Sequence, residues 1–373
     1  RTIIPGRLVL QMASVGSTHK KQKAKVDIIS KLPDSLISHI LSFLPTEDAV
    51  RTSVLSKRWI DCWTLINKVD LDEYPERNQQ HFINFVYKTL LLIKKVESFT
   101  LFITNKYDAT LVNAWISCIL NRRPKKIDIG TIYEIPFSAL TSHSLFNDTY
   151  NLEELVLKMC DCDIKVPPSR VGYFIFGNLK VIKLCGIIFT IDQSLVIRFS
   201  VLKNFEMKNC SWLSAHDVTI EAPLLENVFI EQDCESANRG PRSCKIKFTA
   251  SCIKEFTYSG CCAISQPIVL SNSSAARNAS VTIILDNDWS DYEETNHLVY
   301  QINLQLVILL KQFSEVKCIK FDASEVLTQP TVALLSKFAM LTHLDLGSVS
   351  GEVLFGLLQK SPVLNTLIFQ VCN

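Results

Sequence analysis

The feature of this sequence that most constrains its fold is a short apolar pattern that recurs along most of the chain. The pattern places apolar residues at the first, fourth and sixth positions of a six-residue stretch. The clear copies are Leu152-Leu155-Leu157, Leu179-Ile182-Leu184, Leu202-Phe205-Met207, Leu225-Val228-Ile230, Ile253-Phe256-Tyr258, Val316-Ile319-Phe321, Leu341-Leu344-Leu346 and Leu364-Leu367-Phe369. The weaker copies are Val96-Phe99-Leu101, Pro124-Ile127-Ile129 and Ser280-Ile283-Leu285. Successive copies begin 23 to 28 residues apart, except for one interval of 36 residues that holds an insertion at 286–315.

A period of this length is typical of leucine-rich repeats, in which each unit supplies one short strand and then returns over the back of the stack. Because no unit can bury its apolar face alone, the units stack on one another. Apolar residues at helical spacing precede Pro124 and Pro362, as expected for return helices. The sequence therefore predicts an α/β solenoid with parallel strands on the concave face and helices and loops outside. A mixed domain with accidental spacing would not hold so many copies near one period.

The cysteines fit the same repeat. The chain has 13 of them, an odd number with no C-x-x-C pair, and we expect no secretory signal in residues 1–16. Both points disfavour a complete disulfide framework, and the spacing disfavours a zinc site. The leucine-rich consensus places Asn or Cys three residues after the last apolar position, where the side chain points into the stack. Cys160, Cys210, Cys261 and Cys372 occupy that position. We therefore predict that these four are buried structural thiols.

The segment ahead of the repeats has the pattern of three short helices. The first carries apolar residues three and four positions apart from Leu36 to Leu44, and Pro45 ends it. Thr46 is a good N-cap for the second helix, and Ser56 is a good N-cap for the third. So short a segment forms only a small core, and its first helix is apolar on more than one face. We expect this unit to need a partner surface.

Charge and helical pattern divide the chain into four predicted regions. Residues 1–25 hold six basic residues and no acidic one, and we expect a disordered leader there, with nuclear import or nucleic-acid contact as the alternative. Residues 26–70 form the helical unit, 71–95 an amphipathic connector helix from Pro75, and 96–373 the repeats. The net charge of +2 excludes a wholesale polyanion binder. No apolar window is long enough for a membrane-spanning helix.

Within the helical unit, residues 32–59 (LPDSLISHILSFLPTEDAVRTSVLSKRW) closely resemble the F-box. The match is most like plant F-box proteins with leucine-rich repeats, including the FBD-type subgroup, whose carboxyl-terminal region we expect this chain to lack. The resemblance implies the substrate-recognition subunit of a Skp–cullin–F-box ubiquitin ligase, in which the F-box docks the Skp adaptor and the repeats bind the target protein. It implies no catalytic activity, cofactor or metal, no nucleic-acid or membrane partner, and a place in the nucleus or cytoplasm.

The resemblance and the repeat pattern single out two sets of residues. The F-box positions that pack within the module or against the adaptor are Leu32, Pro33, Leu36, Ile40, Leu41, Leu44, Pro45, Val50, Val54, Leu55 and Trp59. The sequence does not divide them between those two duties. The target-binding candidates, which lie between framework positions of the strands, are Glu154, Val156, Lys158, Asn204, Glu206, Lys208, Asn227, Phe229, Glu231, His343 and Asp345. Mixed charges with one aromatic favour contact with a protein surface over a nucleic-acid backbone, and solvated strand surface is the alternative for each residue.

Other functions have less support in the sequence. It contains no phosphate-binding glycine loop and no G-x-S-x-G, and its seven histidines have no metal-binding spacing. The acidic cluster at 286–294 is expected to be a solvated loop, with a cation or a basic partner as the alternative. A second hypothesis is a ligase-independent repeat scaffold in which the F-box-like segment only caps the stack. A small-molecule receptor is a third, although no sequence feature marks a ligand pocket.

Overall fold

The computed structural model describes residues 31–75, 78–133, 151–166, 173–191, 193–213, 217–232, 244–261, 267–272, 276–286, 296–322 and 327–371. The predicted leader at 1–25, residues 287–294 of the acidic cluster and Cys372 lie outside these ranges, as does the side chain of Cys261. The expectations for those residues therefore stay predictions.

The segment ahead of the repeats forms two α-helices and two 3₁₀ turns. Helix α1 spans Asp34–Leu41 and α2 spans Thr46–Arg51, and the 3₁₀ turns follow at Thr52–Val54 and Cys62–Leu65. The predicted third helix is therefore wound more tightly than an α-helix. Several backbone N–H groups between residues 59 and 66 bond the carbonyl three residues earlier, which is the 3₁₀ pattern.

Thr46 has a different role from the predicted one. Pro45 occupies the N-cap position of α2, and the buried Thr46 hydroxyl accepts a hydrogen bond from the backbone N–H of Asp70 at 2.7 Å. Asp70 lies on β1 (Lys68–Asp72), which is the first strand of the repeat sheet. The helical unit is therefore fastened directly to the sheet, and the predicted boundary at residue 70 falls inside a strand.

The repeats form two parallel sheets. The strands after β1 are β2 (Ser98–Ile103), β3 (Lys126–Thr131), β4 (Glu154–Lys165), β5 (Tyr173–Phe176), β6 (Val181–Thr190), β7 (Leu195–Phe199), β8 (Asn204–Lys208), β9 (Ser211–Leu213), β10 (Val218–Glu221), β11 (Asn227–Gln232), β12 (Ile246–Thr249), β13 (Glu255–Cys261), β14 (Ile268–Leu270), β15 (Ser280–Asp286), β16 (Cys318–Asp322), β17 (His343–Val349) and β18 (Thr366–Val371). The main sheet has the order β1-β2-β3-β4-β6-β8-β11-β13-β15-β16-β17-β18, with β9 beside β6. The second sheet has the order β14-β12-β10-β7-β5.

The predicted apolar framework sets the register of the main sheet. Leu155 lies opposite Ile182, which in turn lies opposite Phe205, so equivalent framework residues stack from strand to strand. From β2 to β17 the last two framework residues of each correctly framed strand are at most 8% exposed. In the last strand, β18, Leu367 is only half-buried and Phe369 is exposed. The parallel repeat sheet predicted from the spacing is therefore confirmed.

Two details of the repeat register differ from the prediction. The copy placed at Ser280 is shifted by two residues, because Val281 lies opposite Phe256 and Ile283 lies opposite Tyr258. The structure also contains a repeat ahead of those predicted, Ile66-Val69-Leu71, whose Val69 lies opposite Phe99 on β2. The sequence analysis did not identify this copy because it overlaps the end of the predicted helical unit.

The segments that return behind the main sheet change character along the chain. The return helices are α3 (Gln79–Leu92), α4 (Ala109–Leu120), α5 (Asn296–Lys311), α6 (Gln329–Ala333) and α7 (Gly351–Lys360). In the described residues between α4 and α5, the return segments form the strands of the second sheet. Its strands have alternating apolar residues, as in Leu195-Ile197-Phe199, which is the two-residue period of a strand. Among the described helices, none is both long and apolar enough to cross a membrane.

The cysteine prediction is confirmed at one position and wrong at another. Cys210 is fully buried, and this burial raises the pKa of its thiol to about 12. Cys160 is exposed, because β4 continues past the framework residue Leu157 and contains a bulge at Asp161, where φ is 51°. Cys162 is the residue that points inward from this strand.

A buried carboxylate joins the first two repeats. Glu73, which follows β1, accepts hydrogen bonds from the backbone N–H groups of Thr104 and Asn105, both at 2.9 Å. It also accepts bonds from the Asn105 side chain and the Tyr107 hydroxyl. Burial, together with the hydrogen bond to Glu73, raises the pKa of Tyr107 above its usual range. With four donors around it, Glu73 fixes a loop and is satisfied in that structural role.

Candidate protein-docking surfaces

Helix α1 leaves one of its apolar faces in solvent. Leu36, Ile40 and Phe43 follow one another at intervals of four and three residues and are 49%, 45% and 75% exposed. The opposite face carries Ile37 and Leu41, which are both fully buried. The Phe43 ring packs edge-on against His39, with the ring centroids 4.9 Å apart. A cluster of large apolar side chains in water is typical of a surface that binds another molecule.

A second exposed apolar site follows α2. Val54 and Leu55, at the end of the first 3₁₀ turn, are 89% and 63% exposed. Pro33 and Pro45, which precede the two helices, are exposed as well. We call the exposed apolar residues of this unit the F-box surface: Pro33, Leu36, Ile40, Phe43, Pro45, Val54 and Leu55.

The structure divides the predicted adaptor-contact residues into three groups by their exposure, which the sequence alone did not. Six of the eleven belong to the F-box surface, and Leu32, Leu44 and Val50 are half-buried. Leu41 and Trp59 are buried in the core, so they are packing residues and not contact residues. Phe43 was not among the eleven, although it lies in the apolar pattern of the first helix.

A few polar contacts hold the F-box surface in place. Arg58 forms an ion pair with Asp34 at the start of α1, with 2.7 Å between the guanidinium and the carboxylate. The Ser38 hydroxyl donates a hydrogen bond to the Leu65 carbonyl at 3.0 Å. Burial, with the negative charge of Asp34 nearby, raises the pKa of the Cys62 thiol above its usual range. These contacts anchor both ends of the segment onto its small core.

The main sheet carries the target-binding candidates on the face opposite its buried framework, which we call the open face. Residues of neighbouring strands meet there in rows, and one row joins Val156, Lys183, Glu206 and Phe229 on β4, β6, β8 and β11. Lys183 was not predicted, although it occupies the equivalent position in the β6 repeat. Val156 is only 6% exposed, because it lies in register between the longer side chains of Asp128 and Lys183. It is therefore unsuited to contact a target.

Charged side chains at the centre of the open face pair with one another. Lys183 contacts Glu206 at 2.9 Å, and Lys208 contacts Glu206 at 3.4 Å and Glu231 at 3.5 Å. The Lys208 ammonium also lies 4.8 Å from the centroid of the Phe229 ring. We call these five residues the charge ladder. Such pairs add little to stability, so their arrangement matters mainly for what approaches the sheet.

The charge ladder shifts the pKa values of its members. Burial disfavours the charged form of Glu206, but the hydrogen bond and charge of Lys183, with Lys208 beyond, hold its pKa below the usual range. Burial also opposes the charged form of Lys208, but Glu231 and Glu206 raise its pKa above the usual range. Both side chains therefore stay ionised near neutral pH.

The remaining candidates are placed as follows. Asn204 and Asn227 meet beside the charge ladder, where the Asn227 amide donates a hydrogen bond to the Asn204 side-chain oxygen at 2.6 Å. The other candidates of β4 form ion pairs: Glu154 pairs with Lys126, and Lys158 pairs with Asp128.

His343 and Asp345 lie on β17, which is separated from β11 by β13, β15 and β16. Asp345 is 4.0 Å from Lys320. The structure therefore brings the candidates of β4, β8 and β11 together and leaves those of β17 apart. Nowhere in the described ranges do three or more His, Cys, Asp or Glu side chains come together as a metal-binding group.

Comparisons with known proteins agree with this architecture. The family model of the F-box domain matches residues 29–69. An F-box/FBD/LRR-repeat protein of Arabidopsis thaliana is 33% identical over 63% of this chain and 53% of its own length. A second one is 33% identical over 57% of this chain and 49% of its own length.

An Arabidopsis thaliana F-box/LRR-repeat protein is 27% identical over 95% of both chains. The chain spans about half the length of the first two relatives. The chain thus contains an F-box domain followed by a parallel repeat sheet, and it is similar to plant F-box/LRR-repeat proteins along most of its length.

Proposed function

We propose that this chain is the substrate-recognition subunit of a Skp–cullin–F-box ubiquitin ligase. In this role the F-box surface docks the Skp adaptor, which connects the chain to a cullin–RING ligase, and the open face of the repeats binds the target protein. The chain itself performs no catalysis, and it works in the nucleus or cytoplasm.

The observation that carries the proposal is the exposure of the F-box surface. Burying one leucine-sized side chain stabilises a complex by roughly 1.5–3 kcal/mol. Leu36 and Ile40 on α1 and Phe43 just after it, with Val54 and Leu55 nearby in sequence, supply several such side chains to a partner. To bury these side chains, the adaptor must present an apolar surface of its own.

The open face supports a folded protein as the target. Its charge ladder combines paired acidic and basic side chains with the ring of Phe229. A nucleic-acid backbone favours an excess of basic residues, whereas a mixture of charges and an aromatic suits a protein surface.

Co-purification with a Skp adaptor tests the docking role. We expect the full chain to co-elute with the adaptor, and Leu36→Asp or Ile40→Asp to abolish co-elution because each places a charge in the apolar contact. The matched control is Leu91→Asp on α3, which changes an exposed leucine outside the F-box and leaves co-elution unchanged. Undiminished co-elution of both F-box variants contradicts the assignment.

A ligase-independent repeat scaffold is the second candidate, and one contact favours it. The hydrogen bond from Asp70 to Thr46 fastens α2 to the first strand of the sheet, so the helical unit also covers that end of the stack. The same experiment separates the two candidates. A chain that folds with its repeats intact but never binds an adaptor supports the scaffold alone.

A further inference from the structure

A cavity of about 80 Å³ lies between the main sheet and the second sheet. The main sheet contributes side chains of β4, β6 and β8, with Trp212 of β9, and the second sheet contributes side chains of β5, β7 and β10. The cavity lies at the β5 edge of the second sheet.

The lining of this cavity is aliphatic and aromatic. Leu157 and Leu184 of the main sheet face Leu195 and Ile220 of the second sheet, and none of the other lining residues carries a charge. Water enters a cavity only when it finds two to four polar partners, so an apolar cavity of this kind stays dry. The space is therefore chemically suited to hydrocarbon and unsuited to water or ions.

The size of the cavity is unusual for a protein core. Native interiors are close-packed and leave few voids larger than a water molecule. The cavity between β17 and α7, at the other end of the sheet, has a volume of only about 20 Å³. Empty space at the inter-sheet position costs dispersion contacts that a ligand of the right size would restore.

Two stacked aromatic pairs shape the walls. Phe176 and Phe199 have ring centroids 5.3 Å apart at an interplanar angle of 17°, and Phe189 and Trp212 have centroids 4.3 Å apart at 22°. Phe176 and Ile197 line the cavity and are half-buried.

We propose that the inter-sheet cavity, of about 80 Å³, binds a small uncharged hydrocarbon ligand of about three carbon atoms. Benzene is larger, since the apolar cavity that holds it measures about 150 Å³. A charged or strongly polar ligand is excluded, since it would lose its hydration without gaining hydrogen bonds. This site is separate from the open face and from the F-box surface, and it does not depend on the proposed ligase role.

Thermal unfolding of the full chain tests this site, with cyclopropane as the probe of the native cavity and benzene as the probe of an enlarged one. At ten times its dissociation constant, cyclopropane is expected to raise the melting temperature of the native chain by about 2 °C in a saturable manner. Leu184→Ala enlarges the cavity and should bind benzene about tenfold more tightly. Ile220→Phe fills the cavity and should abolish the shift. Should Ile220→Phe fail to fold, Leu195→Phe fills the same space from β7.

The matched control is Ile246→Phe on β12, one strand further from the cavity and outside its lining. This variant should overpack a filled core and melt at a lower temperature, yet keep the cyclopropane shift. The proposal is overturned by the absence of a shift in both the native chain and Leu184→Ala. An equal shift in the folded filling variant overturns it as well.

Discussion

The F-box surface and the open face of the repeats differ in the side chains that they expose to solvent. The F-box surface leaves Phe43 and Val54 largely in water, with 75% and 89% of their surface exposed. On the open face, Lys183, Glu206 and Lys208 pair with one another within the sheet. Exposure of apolar side chains is unfavourable in the free F-box surface, and their burial against one partner stabilises that complex. The paired charges of the open face are nearly neutral in energy in the free chain, and they discriminate among partners by electrostatic complementarity.

The comparison also separates binding from folding within a single helix. On α1, Ile40 belongs to the exposed face, while its neighbour Leu41 is fully buried. Two adjacent residues of α1 thus have different roles: Ile40 is available to a partner, and Leu41 packs in the core. A substitution at Ile40 should therefore impair adaptor binding, whereas one at Leu41 should impair folding.

The largest effect is expected from Leu41→Asp. It buries an unpaired charge and should destabilise the helical unit by more than about 4 kcal/mol, whereas Ile40→Asp should change its stability by less than about 1 kcal/mol. Limited proteolysis of both variants, with the cleavage sites mapped, measures the difference. Equal resistance of the two variants to protease would refute the division of α1 into two faces.

A smaller effect is expected from Phe43→Ala. Removing an exposed aromatic anchor should weaken adaptor affinity by about 10- to 100-fold while the melting temperature stays unchanged. Titration calorimetry with purified adaptor measures the affinity. The control is Phe355→Ala on α7, a ring of similar exposure at the other end of the chain, which should leave the affinity unchanged. Equal weakening by both variants would show that the effect is not local to the F-box.

Charge reversal in the charge ladder should affect targets and spare the adaptor. Lys208→Glu places like charges beside Glu206 and Glu231 and should reduce capture of target proteins several-fold. Its cost in stability should be below about 1 kcal/mol, because the pairs are partly exposed. Affinity capture scored by mass spectrometry, with adaptor recovery as the internal control, measures both. Loss of adaptor together with targets would contradict the separation of the two surfaces.

The smallest effect is the pH dependence that Glu206 contributes. Its pKa is lower in the folded chain than the ordinary value of 4.5, so its contribution is present above about pH 4.5 and is lost as the pH falls through the folded pKa. The native chain should therefore exceed Glu206→Gln in stability at pH 6 by less than about 1 kcal/mol, and the gap should close by pH 3. Urea unfolding at the two pH values measures the gap, which 1 M NaCl should narrow. A stability difference between the native chain and Glu206→Gln that grows toward low pH would contradict this prediction.

The sequence predicted the strands well because one apolar framework recurs in each repeat. It misplaced the copy at Ser280 because Val281, Ile283 and Leu285 alternate and are all buried, so two registers fit the same residues. The second sheet was missed because return segments were expected to be helical, although the alternation Leu195-Ile197-Phe199 indicates a strand.

The candidate surfaces were only partly predictable, for a related reason. The apolar residues on two faces of α1 indicate that one face needs a partner. The sequence does not indicate which of the two faces it is. Packing of α1 against the 3₁₀ turn at Cys62–Leu65 decides that Leu41 points inward and Ile40 outward. Likewise, only the bulge at Asp161 explains why Cys160 points outward and Cys162 inward.

Hydrogen–deuterium exchange of the full chain, with and without purified Skp adaptor, tests the central claim most directly. The claim is that the adaptor docks on the F-box surface and leaves the open face free for a target. We expect adaptor binding to slow exchange in peptides covering 33–43 and 52–55 and to leave β4, β8 and β11 unchanged. Slowed exchange on those strands, or unchanged exchange over 33–55 in a saturated complex, would contradict the account.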